Sequence, residues 1–154
     1  MKRIIRYLRT AHTDVYIYRI TAREWADLPE IQYSLQKTGE NEKIRYFINV
    51  DGVRIHNSML FPKLRLLRLI GKSAPAIGEC WTSDQYRGQS IYPYVINKMA
   101  GDALNAGAAE VFIVVNKDNT SSIRGIEKAG FKRFAAVSAT RRLGFYTGVK
   151  VDFE

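Results

Sequence analysis

Hydrophobic and polar positions alternate along several short runs of the chain, and the period shifts between two and 3.6. Asp14–Thr21 (DVYIYRIT) is β-branched and aromatic with alternation, so it reads as a strand. Thr21 with Glu24 three residues on resembles a helix cap, and the spacing predicts a helix over Arg23–Gln36, interrupted by Pro29. Two alternating runs, Glu42–Val50 and Val53–Phe61, are joined by Asp51-Gly52. That dipeptide tolerates the positive φ angles of a type I′ turn, so the segment is a tight hairpin. Lys63–Lys72 (KLRLLRLIGK) is basic and apolar, and ten residues do not decide between helix and strand. Ala74–Thr82 reads as a further strand, with Gly78 marking a bulge or a close backbone approach. Ser83–Ser90 is a polar turn. Ile91–Ala106 is a helix with Pro93 in its first turn and Gly107 at its stop. Glu110–Val115 (EVFIVV) is a continuous apolar run, as a strand buried on both faces requires. Asn119–Ala129 is a second helix, stopped by Gly130, and Phe131–Ala139 and Gly144–Phe153 close the chain as strands. The order β-α-β-β-β-α-β-α-β-β predicts a mixed α/β sheet.

At 154 residues and 46% hydrophobic, the chain is expected to be one domain, 1–154, with a core that needs no staples. Cys80 is the single cysteine, so no internal disulfide forms. With only two histidines beside it, no Cys/His zinc cage can be built, and no metal is expected. The net charge of +9 points to an anionic partner: nucleic acid, an acidic membrane surface or a phosphorylated cofactor. No run approaches 18 consecutive apolar residues, and residues 1–10 (MKRIIRYLRT) lack the apolar core of a signal peptide. The expectation is a soluble cytoplasmic protein, monomer or homodimer, whose residues 1–10 form a solvated helix or strand at the domain edge, with a basic amphipathic helix on a membrane surface as the lesser alternative.

Ser83-Asp-Gln-Tyr-Arg-Gly-Gln-Ser-Ile-Tyr-Pro93 joins a strand to a helix, and small residues at Gly88 and Ser90 let backbone approach a ligand. Such a turn aims several N–H groups at the positive end of the following helix, which suits a pyrophosphate. It is neither a P-loop, since no Gly-Lys-Ser/Thr follows, nor the three-glycine dinucleotide fingerprint. With Gln85-Tyr-Arg-Gly88-Gln-Ser90, then Asn119-Thr-Ser-Ser122 and Lys128-Ala-Gly-Phe131, the chain resembles the GCN5-related N-acetyltransferase (GNAT) superfamily over roughly residues 76–131. That family carries an Arg/Gln-x-x-Gly-x-Gly/Ala turn, then a strand, an Asn-x-x-Ala/Ser helix and a Lys-x-Gly-Phe ending. The resemblance implies an α/β fold with a mixed, mostly antiparallel central sheet flanked by helices, and a V-shaped split between the family's fourth and fifth strands. Three positions depart from the pattern: Ser90 for Gly or Ala, Tyr92-Pro93 for a second glycine pair, and Ile126 where many members have a tyrosine that protonates the leaving thiolate.

The resemblance further implies acetyl-CoA as co-substrate and direct attack by a primary amine, with no metal. Pantetheine would pair with backbone near Cys80–Thr82, and the pyrophosphate would sit on the N–H groups of Arg87, Gly88, Gln89, Ser90, Ile91 and Tyr92. Asn119 and Ser122 would meet the pantetheine arm. Acetyl transfer needs a neutral amine and a protonated leaving group, for which Glu79 is the candidate base and Tyr146, with Tyr92 as substitute, the candidate acid. Unassisted departure of the thiolate is the other route. His56 is placed to line the amine pocket. Cys80 as a nucleophile would need a depressed pKa and a partner base, so it reads instead as a small buried hydrophobe. The Tyr92-Pro93-Tyr94 helix start resembles acetyltransferases of polysaccharide biosynthesis, which implies an amino-sugar acceptor. A basic nucleic-acid-binding domain competes through the clusters Lys2/Arg3/Arg6/Arg9, Lys63/Arg65/Arg68/Lys72 and Lys132/Arg133/Arg141/Arg142. No helix-turn-helix, zinc or RNA-recognition signature supports it, so a small-molecule amine rather than nucleic acid is the expected partner. A coenzyme A binder without turnover is the third possibility.

Overall fold

The computed structural model describes residues 10–154, so the surface role considered for residues 1–10 lies almost wholly outside the described residues. Eight strands form one sheet: β1 (Ala11–Thr21), β2 (Gln36–Glu40), β3 (Lys43–Val50), β4 (Val53–Phe61), β5 (Ala76–Thr82), β6 (Glu110–Asn116), β7 (Lys132–Arg142) and β8 (Phe145–Phe153). Their order across the sheet is β2-β3-β4-β5-β6-β1-β7-β8. Only β5 and β6 run parallel; the other pairs are antiparallel. This is the mixed, mostly antiparallel sheet expected.

Alternation along β1 sorts the two faces. Tyr18 and Ile20 join the larger core beneath the helices α1 (Ile91–Asn105) and α2 (Thr120–Lys128), where Val95, Ile96, Met99 and Ile126 are buried. Val15 and Ile17 face the opposite core with Leu66, Leu67 and Ile70. Those three belong to a 3₁₀ turn over Arg65–Ile70, which settles the ambiguous basic segment; Gly71, at φ 69°, ends it.

No helix forms over Arg23–Gln36. The cap does form: Thr21 N–H and Oγ both donate to Glu24 Oε2 at 3.1 Å. After that turn, long-range partners win over local helix bonds. The Trp25 indole N–H donates to Asn97 O at 2.9 Å, Asn97 Nδ2 donates to Ala26 O at 2.9 Å, and Lys98 pairs with Asp27 and Glu30. The segment is thereby laid along α1, with Pro29 in its middle. β2, which no alternation announced, follows; every residue of it is exposed. It joins β3 through Asn41 and Glu42, both at positive φ, so the expected two-strand hairpin is a three-strand meander.

The element that positions the site is β5. It pairs with β6 only at Ala76↔Phe112 and Ile77↔Ile113, and beyond Ile77 the two strands part. Against β4, Met59 faces Gly78 and Asn57 faces Trp81, so three steps of β5 match two of β4. The extra residue is a bulge at Glu79, whose φ is 51°. A bulge bends the strand that carries it, and here it bends β5 out of register with β6. The wedge expected between these strands is present.

Candidate functional site

The wedge opens into a cavity of about 680 Å³ walled by β5, the 83–90 turn, the start of α1 and one face of α2. At the turn, Gly88 (φ 76°) and Ser90 (φ 62°) are left-handed, which swings the chain so that its amides converge. Ser90 stands at the N-cap of α1 but makes no capping bond; its hydroxyl instead accepts from Lys128 Nζ at 2.5 Å. Pro93 has no N–H, so the amides of Ile91 and Tyr92 head the helix without a side-chain acceptor, at the positive end of its dipole. Arg87, Arg124 and Lys128 line the same space. Uncapped amides ringed by three cations are a donor set for a phosphate or pyrophosphate.

Deeper in the wedge the polar groups form a chain. Thr82 Oγ1 lies 2.7 Å from His56 Nδ1, and His56 Nε2 lies 2.8 Å from Ser58 Oγ. Both ring nitrogens of His56 are thus partnered, and the side chain is fully buried. Burial pushes its imidazole down to about 4, so it is neutral near pH 7. Ser58 and the Tyr92 hydroxyl both stand against the Cys80 thiol, which burial nevertheless pushes up to about 11. Burial, with the Cys80 thiol beside it, raises the Tyr92 phenol as well, so it too keeps its proton. The Tyr92 ring lies across Gly125 of α2: a Cβ there would sit 2.6 Å from Tyr92 Cδ1. Gly125 is bare because the ring needs its place.

Of the residues singled out in the sequence, Cys80, Thr82, Arg87, Gly88, Ser90, Ile91, Tyr92, Asn119 and Ser122 line this cavity together. Asn119 caps α2, its Oδ1 accepting from the Ser122 N–H at 3.2 Å, which leaves its amide nitrogen to donate. Gln89 turns the other way and accepts from the Tyr33 hydroxyl at 2.5 Å. Glu79 sits exposed on the bulge at the wedge's rim, its carbonyl accepting from Asn57 Nδ2. His56 lies behind β5's cavity lining rather than in an open pocket. Tyr146, expected to face the sulfur, packs instead against the core on the opposite face of the sheet, the one that holds Leu66, Leu67 and Ile70, because β8 pairs with the far side of β7. Tyr92, expected beside the phosphates, points instead to Cys80. Arg124 was missed and Lys128 was quoted only as part of a motif, with no binding role, although Ser121, Arg124, Gly125 and Lys128 fall at i, i+3, i+4 and i+7 of one helix face and all line the cavity. Among the described residues no group of three or more His, Cys, Asp or Glu could hold a metal, and no helix is long and apolar enough to cross a membrane.

No protein-family model and no curated protein matches the chain. Solved structures do. A GNAT-family structure from Novosphingobium aromaticivorans DSM 12444 superposes with a TM-score of 0.56 at 18% identity, over 85% of this chain and 65% of that one. An acetyltransferase of the GNAT family from Colwellia psychrerythraea gives 0.60 at 15%, over 94% and 57%. A GCN5-related N-acetyltransferase from Kribbella flavida gives 0.57 at 8%, over 91% and 62%. The chain spans 57–65% of the length of these structures. At these identities the likeness is one of fold: a mixed, mostly antiparallel sheet flanked by helices, like that of these GNAT-family structures.

Proposed function

We propose that this protein transfers an acetyl group from acetyl-CoA to a primary amine by direct attack. The observation that carries the reading is the parting of β5 and β6 over a cavity that ends on uncapped helix amides ringed by Arg87, Arg124 and Lys128. Bound acetyl-CoA supplies the thioester. The Arg87 N–H is spent on Asp84 O, so the amides from Gly88 to Tyr92 and the three cations hold its pyrophosphate, while the free backbone edge of Cys80–Thr82, the side-chain amide nitrogen of Asn119 and the Ser122 hydroxyl hold an arm that carries its own peptide groups. Glu79, at the rim, takes the proton of the attacking amine directly or through a water, the C–N bond forms, and the C–S bond breaks. The sulfur receives a proton from Tyr92, whose hydroxyl stands at Cys80, or from solvent; Tyr146 is on the wrong face for this. Cys80, with its proton held, takes no covalent part, so the amine attacks directly.

An amino sugar is the acceptor class we place first: the rim carries the half-exposed Trp81, Asn57 and Glu79, an aromatic face beside hydrogen-bonding groups. The test is free-thiol release from acetyl-CoA with amino sugars, polyamines and peptide N-termini as acceptors, alongside thermal unfolding with acetyl-CoA or a short DNA duplex. Acetyl-CoA at ~100 times its dissociation constant should add ~2.7 kcal/mol of stability. Stabilisation by the duplex alone would replace this reading with the nucleic-acid one, and binding without thiol release from any acceptor would leave a coenzyme A binder without turnover.

A further inference from the structure

β8 ends the sheet, and its outer side has no neighbour among the described residues. The other end is β2, short and polar from Gln36 to Glu40, as an edge that resists pairing should be. β8 is not built that way. Among the described residues six large hydrophobic side chains stand exposed, and four of them, Leu143, Phe145, Val149 and Phe153, lie on β8 or the turn into it. Apolar exposure gathered on one edge marks a surface that meets a partner.

The part of this edge that can pair is short. From Thr147 to Lys150 β8 advances three residues while β7 advances two, from Thr140 to Ser138, and Gly148, at φ 60°, supplies the bulge. After it, Val149–Phe153 forms a regular row. Val151 packs on the smaller core and Phe153 meets the Phe134 ring edge-to-face at 5.7 Å, so by alternation they and Val149 share one face. Lys150 and Asp152 occupy the other face, both exposed and neither in an ion pair among the described residues.

A strand that pairs antiparallel with its own copy about a two-fold axis sets one residue opposite itself. The middle of the row is Val151. With Val151 facing Val151, Lys150 faces Asp152 and Val149 faces Phe153, and each of these pairs occurs twice. Moving the centre to Lys150 would oppose two like charges instead. We propose that β8 pairs in this register with β8 of a second copy, joining two eight-stranded sheets into one. Five residues a side are few against the ~20–30 of a standard interface, so the dimer is weak, with a dissociation constant on the order of 10 μM. Four strands, β8, β7, β1 and β6, separate the interface from the wedge, so the proposal does not depend on the acetyl-CoA reading.

The experiment is sedimentation equilibrium of the full chain as wild type, Lys150→Asp, Asp152→Lys and the double variant that exchanges the two charges. Both side chains are exposed, so the variants keep the fold. Wild type should dimerise. Each single reversal sets like charges opposite one another twice and should weaken the dimer by about 10-fold or more. The exchange should restore wild-type affinity. A wild type still monomeric at ~1 mM, or a dimer that the single reversals leave equally tight, overturns the proposal. Oxidative cross-linking reads the register. Opposed residues of antiparallel strands lie about 4.5–5.5 Å apart at Cα, within disulfide reach. Val151→Cys should therefore cross-link to its copy, whereas Val149→Cys, facing Phe153, should not; the reverse pattern, or cross-linking of neither, overturns the register proposed.

Discussion

Gly125 and Tyr92 are best tested as a pair, because the structure gives the substitution Gly125→Ala opposite signs in two backgrounds. Alanine inside a helix is ordinarily favoured over glycine by ~1 kcal/mol. In this chain its Cβ would meet Tyr92 Cδ1 at 2.6 Å and Cε1 at 3.0 Å, about 0.8 Å inside ordinary carbon contact. The obstacle is a ring rather than the end of a flexible chain, and the ring is packed between α2 and the Cys80 thiol. Overpacking of this kind costs ~1–3 kcal/mol, so Gly125→Ala should lower stability by up to ~2 kcal/mol net of the helix gain. With Tyr92→Ala the obstacle is gone, and the same substitution should raise stability by ~1 kcal/mol, a coupling of ~1–3 kcal/mol between the two positions. Urea unfolding of the four proteins at 25 °C measures it, with unchanged m-values as the check that the unfolded state is the same. In the Tyr92 background, acetyl-CoA affinity should also fall with Gly125→Ala, since the ring can yield only toward the cavity. An equal effect of Gly125→Ala in both backgrounds would refute the reasoning, because the ring could not then be what keeps position 125 bare.

Three further outcomes follow from the site. Gly88→Val places a branched side chain at φ 76° in the amide cradle, and it should abolish acetyl-CoA binding by calorimetry while unfolding stays cooperative; retained affinity would remove the cradle from the site. His56 is held neutral with a pKa of about 4 against 6.5 when unfolded, so the unfolded chain binds the extra proton between those values. Its share of stability is intact above pH 6.5 and declines by ~3 kcal/mol as pH falls toward 4; urea unfolding of His56→Gln should show a shallower acid slope than wild type, and parallel slopes would rule the histidine out as the cause. Cys80, pushed up to about 11, should react with a disulfide reagent at pH 8 on the order of 10²-fold more slowly than free cysteine, and a fast reaction would contradict its burial.

Signals that lie within a few residues of one another were legible in the chain. The Asp51-Gly52 turn fixes the β3–β4 hairpin because two flanking runs alternate in phase with it, and EVFIVV marks β6 because only a strand covered on both faces can be apolar throughout. The turn into α1 was legible for the same reason: small residues at 88 and 90 just before a helix start at Ile91 are local features. What depended on tertiary contact was not. β2 has no buried face and so no periodicity. The capping pair Thr21 and Glu24 was read correctly, yet the helix behind it fails, because Trp25 fits against Gly101 and bonds to Asn97, some 72 residues away. Which face Tyr146 takes is set by pairing through β7, across a bulge between Ser138 and Thr140, and parity along one strand cannot reveal it. The meeting of Tyr92, Cys80 and Gly125 joins three elements, and nothing in any one of them announces it.

The bulge at Glu79 gives the sheet an edge in its interior. Strand edges are a hazard at the rim of a sheet, where any passing chain can add itself to the open row of amides and carbonyls. Here the open row along Gly78–Thr82 lies mid-sheet, with four strands (β6, β1, β7 and β8) still joined on one side through Ala76 and Ile77. A protein strand cannot reach it without dismantling the sheet, but a narrow linear molecule with its own amides can lie along it. Recognition of that kind reads backbone spacing and is indifferent to most side chains. A proline within this stretch, which deletes a donor from the row, is the substitution such recognition tolerates least.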